Sequence, residues 1–183
     1  MTRHIFHLLL IKPCHYDDRG YPLQWHRSMT PSNSLACVHG LAEAFVARGG
    51  LGPDVDIRIR SIDESNTRVR PDKLARELTR DGARAFVGLV GVQSNQFPRA
   101  FDLARAFRRL GLPVCIGGFH VSGVLSMFHK LSPELEEACA CGVSLFAGEA
   151  EDGRFDDVLR DAFNGELKPV YDWIDKLPNL EGA

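Results

Sequence analysis

The sequence predicts an α/β domain in which a parallel sheet carries helices on both faces. Two observations support that expectation. Short apolar runs alternate with amphipathic stretches along the chain, the signature of repeated strand–helix units. Most of the runs are apolar at consecutive positions, as strands buried on both faces require.

The first run is Ile5 to Ile11, closed by Lys12-Pro13. No small-residue cleavage site follows it, so it reads as a buried strand and not as a leader peptide. A long polar segment, Lys12 to Ser34, comes next. Pro31-Ser32-Asn33-Ser34 then resembles a helix cap, followed by Leu35, Val38, Leu41, Ala42, Phe45 and Val46 at helical spacing, with Gly49-Gly50 as the stop. Asp54 to Arg60 alternates strictly between aliphatic and charged residues, which suits a half-exposed edge strand. Pro71 opens a second helix through Leu74, Ala75 and Leu78. Ala85 to Val92 is a third strand, apolar on both faces.

Pro98 begins a third helix that runs to Leu110, with Gly111 as its stop. Pro113 to Ile116 is a fourth strand, Ser132-Pro133 caps a fourth helix ending at Gly142, and Val143 to Ala147 is a fifth strand. Phe155, Val158, Leu159, Ala162 and Phe163 define a last helix, stopped by Gly165. An alternating strand in second place favours the flavodoxin-like (Rossmann-like) doubly wound arrangement, a five-stranded parallel sheet of order 2-1-3-4-5. Residues 1–168 form the expected domain. Residues 169–183 read as a linker or exit segment toward a further domain, with Val170 onward as an exit strand or linker.

The 183 residues suffice for one domain with a full core. A composition of 44% hydrophobic and 25% charged residues is ordinary for a soluble globular protein. The net charge of -2 gives no reason to expect nucleic acid or an anionic membrane as partner. The five cysteines, Cys14, Cys37, Cys115, Cys139 and Cys141, are odd in number and irregular in spacing. A reducing, cytoplasmic setting suits them better than a disulfide framework.

In an open α/β sheet, ligands bind beyond the carboxyl ends of the strands. The segments expected there are Cys14-His15-Tyr16, Gln93-Ser94-Asn95, Gly117-Gly118-Phe119-His120 and Gly148-Glu149. Gly117-Gly118 removes two side chains just after a buried strand, either for close approach of a ligand or for a turn needing positive φ. His120 is a hydrogen-bonding candidate or a solvated loop residue. Ser94 and Asn95 can anchor a polar group or cap the next helix. Glu149, with Glu151, suits the start of a helix. His15, Asp17 and Asp18 are of metal-ligating types, but no second cluster completes a site. No G-x-G-x-x-G follows the first strand, and G-x-S-x-G is missing.

On these rim residues the chain resembles the N-terminal B12-binding domain of cobalamin-dependent radical SAM proteins. The segments that carry the likeness are KPCHYDDRGYPLQW (12–25), PSNSLA (31–36), GVQSNQFPRAFDLARAFR (91–108), VCIGGFHVSG (114–123) and LFAGEAE (145–151). Gly-Gly-x-His after the fourth strand and Gly-Glu-x-Glu after the fifth are its most recurrent marks. The resemblance implies cobalamin as cofactor, held by His15, Tyr16, Gln93, Ser94, Asn95, Gly117, Gly118, Phe119, His120, Gly148 and Glu149. It implies that the nucleotide tail runs beside Ser94 and Gly117-Gly118, and that Gly118→Val blocks binding by filling the ligand's place.

Two departures stand out. The Asp-x-His-x-x-Gly of cobalamin mutases is absent around His15, which leaves that residue a weak candidate for the lower face of cobalt. The C-x-x-x-C-x-x-C that holds an iron–sulfur cluster is absent too. The cluster and its S-adenosylmethionine would belong to a radical SAM catalytic domain or subunit acting as partner, with methyl transfer as the leading activity of the whole. The alternatives are a free-standing corrinoid carrier, or a flavin-binding or signalling domain of the same fold.

Overall fold

The computed structural model describes residues 4–25 and 32–176. Pro31 and residues 177–183, included in the expectations above, lie outside them.

Six parallel strands form a single sheet in the order β2-β1-β3-β4-β5-β6. The strands are β1 (His4–Lys12), β2 (Val55–Asp63), β3 (Arg84–Leu89), β4 (Val114–Gly117), β5 (Ser144–Ala147) and β6 (Val170–Asp172). The helices are α1 (Asn33–Ala47), α2 (Pro71–Leu78), α3 (Phe97–Arg109), α4 (Phe119–Phe128), α5 (Pro133–Ala140) and α6 (Arg154–Asn164). The α/β class and the order of the first five strands are as expected. The strand count is not. Val170–Asp172, expected in an exit segment, pairs in parallel with β5 and makes the sheet six-stranded.

A second difference is α4. From sequence, Phe119-His120 is expected in a loop and the next helix at Pro133. The structure inserts a helix of 10 residues directly after Gly118. Val121 and Leu125, one turn apart on one side, supply its buried contacts.

The two faces of the sheet are covered unequally. Leu9, Ile11, Val87, Leu89, Val114 and Ile116 face a layer that includes Leu74, Phe101, Leu125 and Leu135, from α2, α3, α4 and α5. Phe6, Leu8, Leu10, Phe86 and Cys115 face α1 and α6, through Leu35, Phe45, Phe155 and Val158. Both helices that follow β4 therefore cross to the first layer. Among the described residues only the helices α1 and α6 remain to cover the second face, tied together by the Arg48–Asp156 ion pair at 2.9 Å. Phe6, Phe45, Phe86 and Phe107 are at most 1% exposed, and burying each such side chain contributes about 1.5–3 kcal/mol. Ser32 caps α1 by accepting a hydrogen bond from the Leu35 amide at 3.3 Å. Among the described residues no helix is long and apolar enough to cross a membrane.

Candidate functional site

Side-chain size along two strands opens a hollow. Alternate residues of a strand face opposite sides. On the α1/α6 side β3 carries Phe86 and Gly88, and β4 carries Cys115 and Gly117. On the other side the same strands carry Val87, Leu89, Val114 and Ile116. Leu10, Gly88 and Cys115 lie in one register row across β1, β3 and β4. Small residues on one face only leave a cleft of about 340 Å3 beneath α1 and α6. It opens at the carboxyl ends of the strands.

Apolar side chains line it from Val38 and Leu41 of α1, Phe86 and Val90 at β3, Phe146 of β5, and Phe155 and Val158 of α6. At its mouth stand Asn33, Ser34, Gly91, Gly118, Gly148, Glu149 and Glu151. Three of these are glycines with positive φ, each following a different strand: Gly91 (61°), Gly118 (140°) and Gly148 (99°). A Cβ at Gly91 would lie 2.6 Å from the Ser34 Cβ, and one at Gly148 would lie 2.9 Å from the Trp173 carbonyl carbon. The mouth of the cleft is thus built from bare backbone packed against its neighbours. One carboxylate oxygen, Glu151 Oε2, is shielded from solvent there and has no protein hydrogen-bond partner.

Loops at the strand ends are joined by backbone hydrogen bonds. Val92 donates to the Gly117 carbonyl at 3.0 Å, and His120 donates to the Val92 carbonyl at 2.9 Å. Lys12 Nζ reaches across from β1 to the Gly91 carbonyl and to Gln96 Oε1, the latter at 2.6 Å. Burial pulls its pKa below the usual lysine value.

The segment after β1 folds as a small hairpin, with Tyr16 bridged to Pro22 and a turn in which Asp17 Oδ1 accepts from the amides of Arg19 and Tyr21. A buried charge pair holds it down. Glu64 is 0% exposed and meets Arg99 of α3 at 2.5 Å. It also accepts from the Cys14 amide at 3.2 Å and from the Cys14 thiol at 3.3 Å. Arg99 leans over the Tyr16 ring, and the Tyr16 hydroxyl donates to Asp102 at 2.6 Å.

Of the residues expected at the site, Gly117, Gly118, Gly148 and Glu149 line the cleft. His15, Tyr16, Gln93, Ser94, Asn95, Phe119 and His120 do not belong to its lining. Tyr16 is turned to α3, which packs on the opposite face of the sheet. Ser94 Oγ lies 3.3 Å from His120 Nδ1. The His120 ring packs tilted against Phe97, centroids 4.4 Å apart, with Nε2 3.6 Å from Glu134. Burial lowers the His120 pKa below its ordinary value, against the opposing pull of Glu134. Phe119 stands 73% exposed on the rim.

The α1 wall, the α6 wall, Gly88 and Gly91 are not among the residues expected from sequence at the site. Gly88 had a signal: a glycine inside an apolar strand marks close approach of another group. Among the described residues no cluster of His, Cys, Asp and Glu of metal-binding size is found.

Thiol chemistry offers a check on this geometry. Burial pushes Cys115 up to about 12. Burial, and then the Glu64 charge and hydrogen bond, push Cys14 up to about 12 as well. Cys37, at the cleft mouth, and Cys141 are exposed. At pH 8 an aromatic disulfide reagent is expected to label Cys37 and Cys141 rapidly, Cys115 on the cleft floor slowly because its thiol is pushed up to about 12, and Cys14 only after unfolding. Fast labelling of Cys14 in the native protein would contradict the pinned hairpin.

No family model matches the chain, and neither a curated protein nor a solved structure matches it. What is established is an α/β domain, broadly Rossmann-like, with one all-parallel six-stranded sheet and an apolar cleft at its carboxyl edge.

Proposed function

We infer that the chain is a cobalamin-binding domain whose cleft takes the nucleotide tail while the corrin ring rests on the mouth. The single observation that carries this reading is the joint presence of a deep apolar cleft and a glycine-built mouth at the carboxyl end of the sheet. A hollow of about 340 Å3 holds a bicyclic aromatic base but not a macrocycle. The ring must then lie outside, over the mouth formed at Gly91, Gly118 and Gly148, whose backbone packs too tightly on Ser34, Val92 and Trp173 to carry side chains. Glu151 Oε2 supplies an unused acceptor beside that path, suited to a ligand hydroxyl or amide. The sequence resemblance to B12-binding domains of radical SAM proteins points the same way.

When bound, the cobalt supplies alkyl-transfer chemistry that no amino-acid side chain offers. The chain's own contribution is to bind and orient. The α1 and α6 walls strip water from the tail, and the fused loops at Val92, Gly117 and His120 keep the mouth rigid. Tyr21 (68% exposed) and Trp25 (61% exposed) are available to a catalytic partner, in this reading a radical SAM domain or subunit. Methyl transfer remains the activity proposed for that assembly, and a cytoplasmic setting is part of the same proposal.

Hydroxocobalamin titration tests it. Saturable binding with a shifted corrin spectrum is expected. Val38→Trp, which fills the cleft from α1, is expected to weaken binding at least about 10-fold, as loss of one well-buried contact surface does. It should leave the far-ultraviolet circular dichroism unchanged. Uptake of a yellow fluorescent flavin in place of the corrinoid would instead favour the flavodoxin-type alternative.

A further inference from the structure

We propose that Ser94, His120 and Glu134 form a hydrolytic relay at the carboxyl rim of the sheet, which cleaves small carboxylic esters through an acyl-serine intermediate. The three residues come from separate segments: Ser94 from the loop after β3, His120 from the first turn of α4 and Glu134 from the first turn of α5. None of them lines the apolar cleft, so this activity is independent of the corrinoid reading.

The atoms follow the order nucleophile, base, orienting carboxylate. Ser94 Oγ lies 3.3 Å from His120 Nδ1, and His120 Nε2 lies 3.6 Å from Glu134 Oε1. Nε2 is shielded from solvent, and Glu134 is the one carboxylate within 4 Å of it among the described residues. A proton on Nε2 therefore faces that carboxylate, which leaves Nδ1 to accept the Ser94 proton. Packing on Phe97 and the hydrogen bond from the His120 amide to the Val92 carbonyl fix the ring. Its lowered pKa keeps it neutral and competent as a base at pH 7. A hydrogen bond from its own amide holds the Glu134 carboxyl below its ordinary pKa. Ser94 is exposed, and among the described residues neither its amide nor that of Asn95 has a backbone acceptor. Those two N–H groups, in the turn that leads into α3, are donors for a tetrahedral oxyanion.

The contact Ser61–His39–Glu43 uses the same residue types at 2.7 and 3.4 Å, but its histidine and glutamate are 34% and 67% exposed, against 12% and 46% in the relay. Water competes more strongly there, so Ser61 serves as the control. In the reaction Ser94 Oγ attacks the acyl carbon and passes its proton to His120 Nδ1. The ester C–O bond breaks and the leaving alcohol takes that proton. Water then attacks the acyl-serine through the same base, and Ser94 Oγ regains a proton as the acid departs. Ester and water become acid and alcohol, with no change of oxidation state.

The experiment uses the purified full chain, with p-nitrophenyl acetate as substrate and a fluorophosphonate as covalent probe. The probe is expected to add to Ser94, read by peptide mass spectrometry. Ser94→Ala is expected to abolish that adduct and to lower kcat/KM at least about 100-fold, with unchanged circular dichroism. Glu134→Gln is expected to lower kcat at least about 10-fold at unchanged KM, as loss of the group that orients the base does. Ser61→Ala is expected to leave both readouts as in the wild type. Unchanged hydrolysis by Ser94→Ala, or an adduct on Ser61 or on no serine, overturns the relay. An unchanged kcat for Glu134→Gln overturns the part assigned to that carboxylate.

Discussion

Arg99→Met is expected to lower the stability of the fold by about 3–5 kcal/mol, the cost of leaving a buried charge without its partner. Glu64 is fully buried, and Arg99 holds it through Nε, at 3.2 Å from both carboxylate oxygens, and through a 2.5 Å contact to Oε1. Methionine keeps the bulk of the side chain but none of its donors. The amide and thiol of Cys14 would remain as the neutral donors to Glu64, too few to solvate an ion. For a domain of this size roughly 2–4 °C is lost per kcal/mol, so the midpoint should fall by roughly 6–20 °C. The double variant Glu64→Leu/Arg99→Met should recover much of the loss, since a buried pair replaced by apolar groups is often neutral. Recovery should stay incomplete, because the Cys14 amide keeps no acceptor. Urea unfolding of the wild type and the two variants checks all of this, and an Arg99→Met protein within about 0.5 kcal/mol of wild type would remove the pair from its anchoring role.

Gly118→Ala is the second large effect, expected to cost about 3 kcal/mol or more. The residue sits at φ 140° and ψ -169°, a region essentially closed to side chains. Its Cβ would overlap the Val92 nitrogen and lie 2.6 Å from the Gly91 carbonyl carbon, both backbone atoms that cannot swing aside. Gly165→Ala is the matched control. It has φ 78°, and its Cβ would meet nothing within 4 Å, so only the left-handed penalty of about 1–2 kcal/mol applies. Chemical unfolding of both proteins gives the comparison, and equal losses would show that the Gly91–Val92 contact is unimportant. This geometry corrects the expectation drawn from sequence for Gly118→Val. A branched side chain at that position strikes the protein's own loop first, so lost ligand binding would report a broken mouth and not a filled ligand site.

Strands and helices with long apolar patterns were legible in the sequence. Ile5 to Ile11 and Ala85 to Val92 read as buried strands because every position but His7 is apolar, and the alternation from Asp54 identified an edge. What escaped detection had no period to read. Val170–Asp172 is three residues long and becomes a strand through pairing with β5. The start of α4 is set by the contact of Gly118 with Gly91–Val92, a long-range relation invisible to local patterns. The site divides in the same way. Gly117, Gly118, Gly148 and Glu149 were found because glycines and acids after strand ends are local signals. Val38, Leu41, Phe155 and Val158 were not, because an apolar helix face reads as core whether or not the sheet beneath it carries Gly88 and Cys115.

The borders of the sheet carry a consequence for self-association. At one border β2 is nine residues long but presents Asp56, Arg58 and Arg60, two of them engaged in ion pairs with one another at 2.9 Å. At the other, β6 offers only three residues, and the buried Tyr171 is fastened by its hydroxyl to Asp161 at 2.7 Å. A foreign strand seeking free amides and carbonyls meets charge on one side and a stub on the other. Natural sheets discourage fibril-like stacking by these same means.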